Sequence, residues 1–296
     1  MSSVTPATGG YNTVKPPQYV EEYTFTSTPS GASMSWIGVI DNFSPSADVS
    51  AIQFRKVGSE DLTDIRKGTE VFTAALDYAP QNSNFLDYGL QAQGGGSGTI
   101  DKSLSIIFSA KLNGTENFIK LLGTKINSTK VSGKAGEPHK VSMELWSYDI
   151  TQPSTSVAVG GTVNYTSDPG TAPWTFANGG SSPISYAGAS FPVTEIEVEV
   201  KRNLERINTL GNTKLQYLPA KAREVTGAFT VVWQSTGSYY NLIDFNNNSM
   251  QWILTSGTSL NLGNVNLTKL DGFTFKPTDT VYEKYSFVAR NISVVG

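Results

Sequence analysis

Residues 57–73 read Val57-Gly58-Ser59, then the basic pair Arg66-Lys67, then Glu70-Val71-Phe72-Thr73, and residues 210–227 read Leu210-Gly211-Asn212, then Lys221 and Arg223, then Glu224-Val225-Thr226-Gly227. Each is an apolar-Gly turn, a basic patch and a Glu that opens an alternating strand. From Gly to Glu is 12 residues in the first (70 − 58) and 13 in the second (224 − 211). The order of signals extends outward. Strands end at Asn42 and at Asn203, and Phe85-Leu86-Asp87-Tyr88 answers Leu242-Ile243-Asp244-Phe245. Leu121-Leu122-Gly123-Thr124-Lys125-Ile126-Asn127 answers Leu270-Asp271-Gly272-Phe273-Thr274-Phe275-Lys276, ahead of the last strands, Lys140–Trp146 and Lys284–Ile292. Signals repeated in one order mark a duplicated unit. Each copy reads as strands, one short helix, then strands, closing as a sandwich or barrel. The chain divides into an N-terminal arm (1–33), a first β-domain (34–150), a long loop or linker (151–190) and a second β-domain (191–296).

A length of 296 residues agrees with two such units. Only 16% of residues are charged, while Ser, Thr, Asn and 28 Gly fill the uncharged remainder, a composition of strands and turns. The aromatics (5 Trp, 13 Tyr, 14 Phe) supply too much burial for a disordered chain. The fold class expected is all-β, β-dominated with short helices. Strands are predicted at 33–42, 49–56, 71–78, 104–110, 126–131 and 139–146, then at 193–202, 225–234, 251–255, 273–276 and 285–292. Short helices are predicted near Asn84–Leu90 and Tyr239–Phe245, and 117–122 is ambiguous between helix and strand. The arm and the 151–190 stretch lack core periodicity yet carry aromatics such as Trp174, Phe176 and Tyr186. They are expected to order mainly on contact with neighbouring subunits.

The absences narrow the chemistry. Zero Cys removes disulfides, thiolate metal sites and cysteine nucleophiles. A single His, His139, leaves no multi-histidine metal site, and its place at a strand start predicts a rim residue. Gly94-Gly95-Gly96-Ser97-Gly98 lacks a following Gly-Lys-Ser/Thr and reads as a hairpin tip rather than a phosphate cradle. Glu60, Asp61 and Asp64 lack the alternating spacing of a calcium loop and read as a solvated loop. A net charge of −3 argues against phosphate neutralisation as the main task. No apolar run approaches the roughly 20 residues of a membrane span, and MSSVTPATGG carries no secretory pattern, so synthesis in a cytoplasm without membrane insertion is expected. No enzyme activity, cofactor or metal is expected.

At these residues the chain resembles the tail tube proteins of tailed phages and related archaeal viruses. The resemblance lies in Glu197-Val-Glu-Val-Lys-Arg-Asn-Leu-Glu-Arg, in Leu210-Gly211 and in Ala222-Arg-Glu-Val-Thr-Gly-Ala-Phe-Thr. In the first half it lies in Lys120-Leu-Leu-Gly-Thr-Lys-Ile-Asn-Ser and in Gly133-Lys-Ala-Gly-Glu-Pro-His-Lys-Val-Ser-Met-Glu-Leu. It covers about two-thirds of the chain. It implies a structural virion protein whose rings stack into a hollow conduit for DNA. Duplicated members of the family close the ring as a trimer with pseudo-sixfold symmetry. It also implies the partners: copies of itself, a tape-measure protein and DNA in the lumen, and terminator and tip or baseplate proteins at the ends. The alternative is a two-domain virion adhesin or carbohydrate-binding module, which would need a fixed concave aromatic patch.

One strand carries a candidate surface. In Val193–Arg202, Glu195, Glu197 and Glu199 share one face and Ile196, Val198 and Val200 the other. An ordinary half-buried strand accounts for this, and so does a strand of a tube wall whose carboxylates face the lumen and repel DNA phosphate.

Overall fold

The computed structural model describes residues 15–22, 24–27, 33–58, 60–90, 102–112, 115–151, 166–176, 183–190, 192–232, 247–271 and 282–295. The elements in chain order are β1 (Lys15–Glu21), β2 (Ser35–Trp36), β3 (Val39–Arg55), β4 (Leu62–Ala79), α1 (Asn84–Leu90), β5 (Leu104–Leu112), β6 (Thr115–Lys134), β7 (Lys140–Ser147) and β8 (Asp149–Thr151). They continue as β9 (Ile184–Tyr186), β10 (Ala189–Ser190), β11 (Val193–Lys201), β12 (Glu224–Val232), β13 (Asn248–Thr255), β14 (Thr258–Asp271) and β15 (Tyr282–Val295). The protein is all-β, as expected, with one short helix among the described residues. α1 spans the predicted residues, and 117–122 lies within β6. The expected helix at 239–245, the strand at 273–276 and the glycine run at 94–98 lie outside the described residues.

Eight strands pair side by side in the order β3-β4-β7-β6-β11-β12-β15-β14, so the same four-strand sequence occurs twice and the two sets join where β6 meets β11. A second layer repeats too. β6 bends onward to pair with β5, then β1, then β2, and β14 likewise leads to β13, β9 and β10. Registers match in detail. Leu104 and Ile106 lie opposite Thr124 and Leu121, three residues facing four, and Asn248 and Met250 lie opposite Val265 and Leu262 in the same way. A second irregularity sets Ile126 and Ser128 against Leu145 and Glu144, and Leu267 and Lys269 against Phe287 and Ser286. Both fix one shift between β6 and β14, 141 residues (262 − 121 and 267 − 126). At the bend the backbone turns left-handed at Gly123 (φ 59) and at its counterpart Asn264 (φ 53), residue types that tolerate that region.

The other strand pair corrects one sequence match. Phe43 opposite Leu76 corresponds to Ile196 opposite Phe229, a shift of 153 (196 − 43). That shift keeps Gly58 with Gly211 but places Glu70 with Arg223, not with Glu224. A one-residue slip reverses every side chain: Glu70 is buried and Glu224 exposed. Asn42 is likewise not a strand end, because β3 runs on through Ser44-Pro45-Ser46 to Arg55, with Pro45 on a strand that, among the described residues, pairs on one side only.

One face of the large sheet is apolar. Val141, Met143 and Leu145 on β7 and Ile196, Val198 and Val200 on β11 are buried, in a cluster with Phe85, Leu86 and Leu90 of α1. The helix comes so close that a Cβ at Gly89 would sit 2.4 Å from the Thr129 hydroxyl. Parts of the segments read as arm and linker belong to this core. β1 buries Gln18, Tyr19 and Val20, and Trp174, Ile184 and Tyr186 are buried as well. Gln18 and Thr166 exchange two hydrogen bonds (2.6 and 2.9 Å), and the Trp174 backbone bridges Pro80 and His139. These residues are ordered by their own chain. Tyr19 packs 4.8 Å from Phe85 and 5.4 Å from Tyr88, so Tyr19→Ala is expected to cost about 3 kcal/mol of stability, read by urea unfolding. An unchanged midpoint would show that β1 is dispensable.

Candidate functional site

The opposite face of the large sheet is polar, and β11 lies at its middle. Alternation along an extended chain fixes which side chains share it. Glu195, Glu197 and Glu199 all lie on it, exposed or half-buried, while their neighbours Ile196, Val198 and Val200 are fully buried. Register extends the face sideways: one row runs Asn42, Asp77, Ser142, Lys130, Glu199, Thr226, Val288, Asn266.

The three carboxylates sit among cations, two of which the sequence of β11 does not reveal. Glu197 pairs with Lys130 at 2.8 Å, Glu199 with Lys201 at 3.5 Å, and Glu195 lies directly opposite Lys134. Two of the three lysines, Lys130 and Lys134, come from β6, about 65 positions away in the chain. Farther along, Glu144 accepts hydrogen bonds from Asn127 (2.7 Å) and Trp146 (2.8 Å). Exposed pairs of this kind contribute only about 0–1 kcal/mol each. Their effect is to make the face a hydrated mosaic of both signs rather than a uniformly acidic wall.

The two β-hairpin positions at one end of the sheet differ. β3 and β4 run on as a projecting ribbon with Val49, Ile52, Phe54 and Ile65 exposed. The equivalent stretch 202–223 folds back over the first repeat. Thr213 bonds Glu70 through both backbone and hydroxyl (2.8 and 2.6 Å), Arg206 stacks 3.8 Å over Trp146, and Lys125 donates to the Leu218 carbonyl at 2.8 Å. Bonds from Lys67 and Thr213 hold the Glu70 carboxyl below the usual range. Both stretches end alike. Val57 and Leu210, 153 apart, are fully solvent-exposed (103% and 105%), and each precedes a left-handed glycine, Gly58 (φ 86) and Gly211 (φ 87).

His139 is a core residue, not a rim residue. Its imidazole is wholly buried edge-on to Phe176 (5.0 Å) and Trp252 (5.3 Å), and burial pushes its pKa down to about 4. Glu60, Asp61 and Asp64 are exposed near the ribbon tip, with Asp64 paired to Arg66 at 2.7 Å.

A cleft of about 430 Å³ is lined by Glu21, Glu22, Phe25, Lys102 and Tyr217 among others. Its carboxylates are already engaged. Glu22 is buried and accepts from Ser103 (2.5 Å), Ser105 (2.7 Å), the Gly123 amide (2.9 Å) and the Thr26 amide (2.8 Å). Glu21 accepts from Tyr88 at 2.8 Å and pairs with Lys102. A carboxylate saturated by four donors is a structural tie that pins β1 to the β6 bend.

No curated protein sequence matches the chain. A family model described as phage tail tube protein matches residues 18–284, from β1 into β15 and so through both repeats. A doubled antiparallel sheet with a polar face and a match across nine-tenths of its length place this chain in the phage tail tube protein family.

Proposed function

We propose that three copies close into a ring with pseudo-sixfold symmetry and that rings stack into the tail tube, a conduit for DNA. The observation that carries this reading is the β6–β11 junction. One repeat is joined to the next by strand pairing, and among the described residues the large sheet has β3 on one side and β14 on the other. The same joint made between chains extends the sheet until it closes, which also removes the aggregation hazard of open edges. The repeats are then the two tandem tube domains of one subunit.

Arithmetic accommodates three. Strands about 4.8 Å apart and tilted roughly 40° give 24 strands a backbone diameter of about 48 Å, whereas eight close on their own side chains. Orientation follows from bulk. The apolar face carries α1 and the second layer of strands, which fit on the longer outer circumference. The polar face with Glu195, Glu197 and Glu199 then lines the lumen. A mosaic of paired charges binds water strongly and phosphate weakly, so DNA slides without sticking. The tape-measure protein would occupy the lumen during assembly, with terminator and tip or baseplate proteins at the tube ends. The subunit is made in the host cytoplasm and ends in the virion tail, and its work is geometric rather than catalytic.

Changing Glu195, Glu197 and Glu199 all to Lys leaves folding intact, because the side chains are solvated. It joins them to Lys130, Lys134 and Lys201 in a basic patch that pairs with phosphate. Particles carrying the change are expected to release DNA several-fold more slowly, with a steeper salt dependence. Release at the unaltered rate and salt slope would remove these residues from the lumen.

A further inference from the structure

We propose that the projecting β3–β4 ribbon of one copy lies across β15 of the next, as residues 202–223 lie across β7 within the chain, so that Leu62 and Ile65 are buried between copies and Glu60 meets Arg223 of the neighbour. The contact rests on the ring reading above and names what one copy lays on the next. The ribbon and the 202–223 stretch are one element in two settings. Both keep the shift of 153 out to their tips, because Phe54 opposite Asp64 in the ribbon corresponds to the bridge of Ile207 with Tyr217 (207 − 54 and 217 − 64). Both also depart from regular pairing at the same place. The register of the ribbon shifts between Val49 and Ala51, around Ser50, and the counterpart of Ser50 is Asn203 (203 − 153), where the backbone turns left-handed (φ 50).

What differs is the surface beneath them. Leu215 and Leu218, in the stretch that lies on the first repeat, are 2% and 1% exposed, whereas their counterparts Leu62 and Ile65 are 37% and 60% exposed. Apolar positions that are buried in one repeat and open in the other mark a surface that a second copy covers. The contacts translate residue by residue. β15 is the counterpart of β7 at a shift of 142, with Leu145 beside Ile126 matching Phe287 beside Leu267. Arg206 over Trp146 becomes Gln53 over Val288, and both of these side chains are exposed in the single chain. Thr213 bonded to Glu70 becomes Glu60 against Arg223, an acid against a base. Glu60 is exposed. Arg223 donates to the Leu90 carbonyl at 2.7 Å, and a guanidinium has five N–H donors.

The absence of cysteine from the chain allows a clean test. The double variant Gln53→Cys with Val288→Cys is assembled and treated with a short bismaleimide, next to each single variant and to Gln53→Cys with Lys284→Cys. The second thiol of that displaced pair lies four residues, about 13 Å, along the same face of β15. The designed pair is expected to link chains at least ~10-fold more than the displaced pair, in a ladder ending at a closed trimer, with no trimer from either single variant. Three-chain rings in which the displaced pair links as well, or in which the designed pair links only within a chain, overturn the contact and leave the ring reading standing. A ladder running past three chains, while micrographs still show three-chain rings, puts the ribbon between rings and overturns it too. Discrete monomers by electron microscopy overturn both. Leu62→Ser with Ile65→Ser gives an independent arm. Both side chains are open in the single chain, so the urea midpoint is expected to hold while the yield of rings falls about 10-fold. A ring yield equal to that of the parent chain counts against the contact.

Discussion

Replacing Val57 and Leu210 together by Asp stops tube growth at single rings. Both side chains are fully exposed at the tips of equivalent stretches, which a soluble monomer does not need. In the proposed three-chain ring, two such tips per chain would give six apolar knobs, all at the same end of the sheet. Burying each against the next ring contributes about 1.5–2 kcal/mol, and an Asp there would have to be desolvated instead. Elongation followed by light scattering is expected to fall at least ~100-fold, the product of two lost contacts per chain. The ring-forming edges lie elsewhere, so single rings persist in electron micrographs. Tubes of normal length from the double variant would show that the tips do not mediate stacking.

Acid weakens the subunit through His139, and the effect is large because the residue is fully buried. The imidazole titrates at about 4 in the fold and near its ordinary ~6.5 when unfolded. The unfolded chain therefore takes up the proton first. Stability from this site is complete above pH ~6.5 and falls as pH drops toward 4, by about 3 kcal/mol in all. Asp87 acts in the opposite sense over the same window, because burial raises its carboxyl to about 6 and protonation favours the fold. The two are separated by His139→Leu, which fills the same apolar niche beside Phe176 and Trp252. Urea unfolding at pH 7 and pH 4.5 should show a loss in the parent chain that is smaller by about 2 kcal/mol in His139→Leu. Equal losses would mean that His139 does not control the acid response.

Much of this was legible in the sequence where one strand carried its own signal. Alternation in Val193–Lys201 predicted the buried and open faces of β11, and the paired Gly58 and Gly211 turns lie at the true structural shift. What local reading missed was set by distant partners. β14 was not expected because Asn261, Gly263, Asn264 and Asn266 look like a turn, yet they span a bend that pairing with β13 and β15 holds extended. Its true match to β6 is Leu262 to Leu121, not Leu270, whose continuation at 272–276 lies outside the described residues. Pro16-Pro17 disguised β1, where the ladder accommodates them at a register shift beside Lys15. Counting from Glu70 to Glu224 put the two repeats one residue out of step, because the Gly-to-strand spacing is the same in both and the two Glu residues stand at neighbouring, not equivalent, positions. Lys201 follows the carboxylates on β11, but Lys130 and Lys134 are invisible until β6 and β11 are adjacent, which is why the face read as acidic and stands as mixed.

A cryo-electron microscopy reconstruction of the assembled protein, viewed down the tube axis, shows whether the doubled sheet closes as three chains with its polar face inward. Three chains and 24 wall strands per ring are expected, with Glu195, Glu197 and Glu199 directed at the axis and α1 on the outside. Six chains per ring, or carboxylates on the outer surface with α1 in the lumen, would contradict this arrangement.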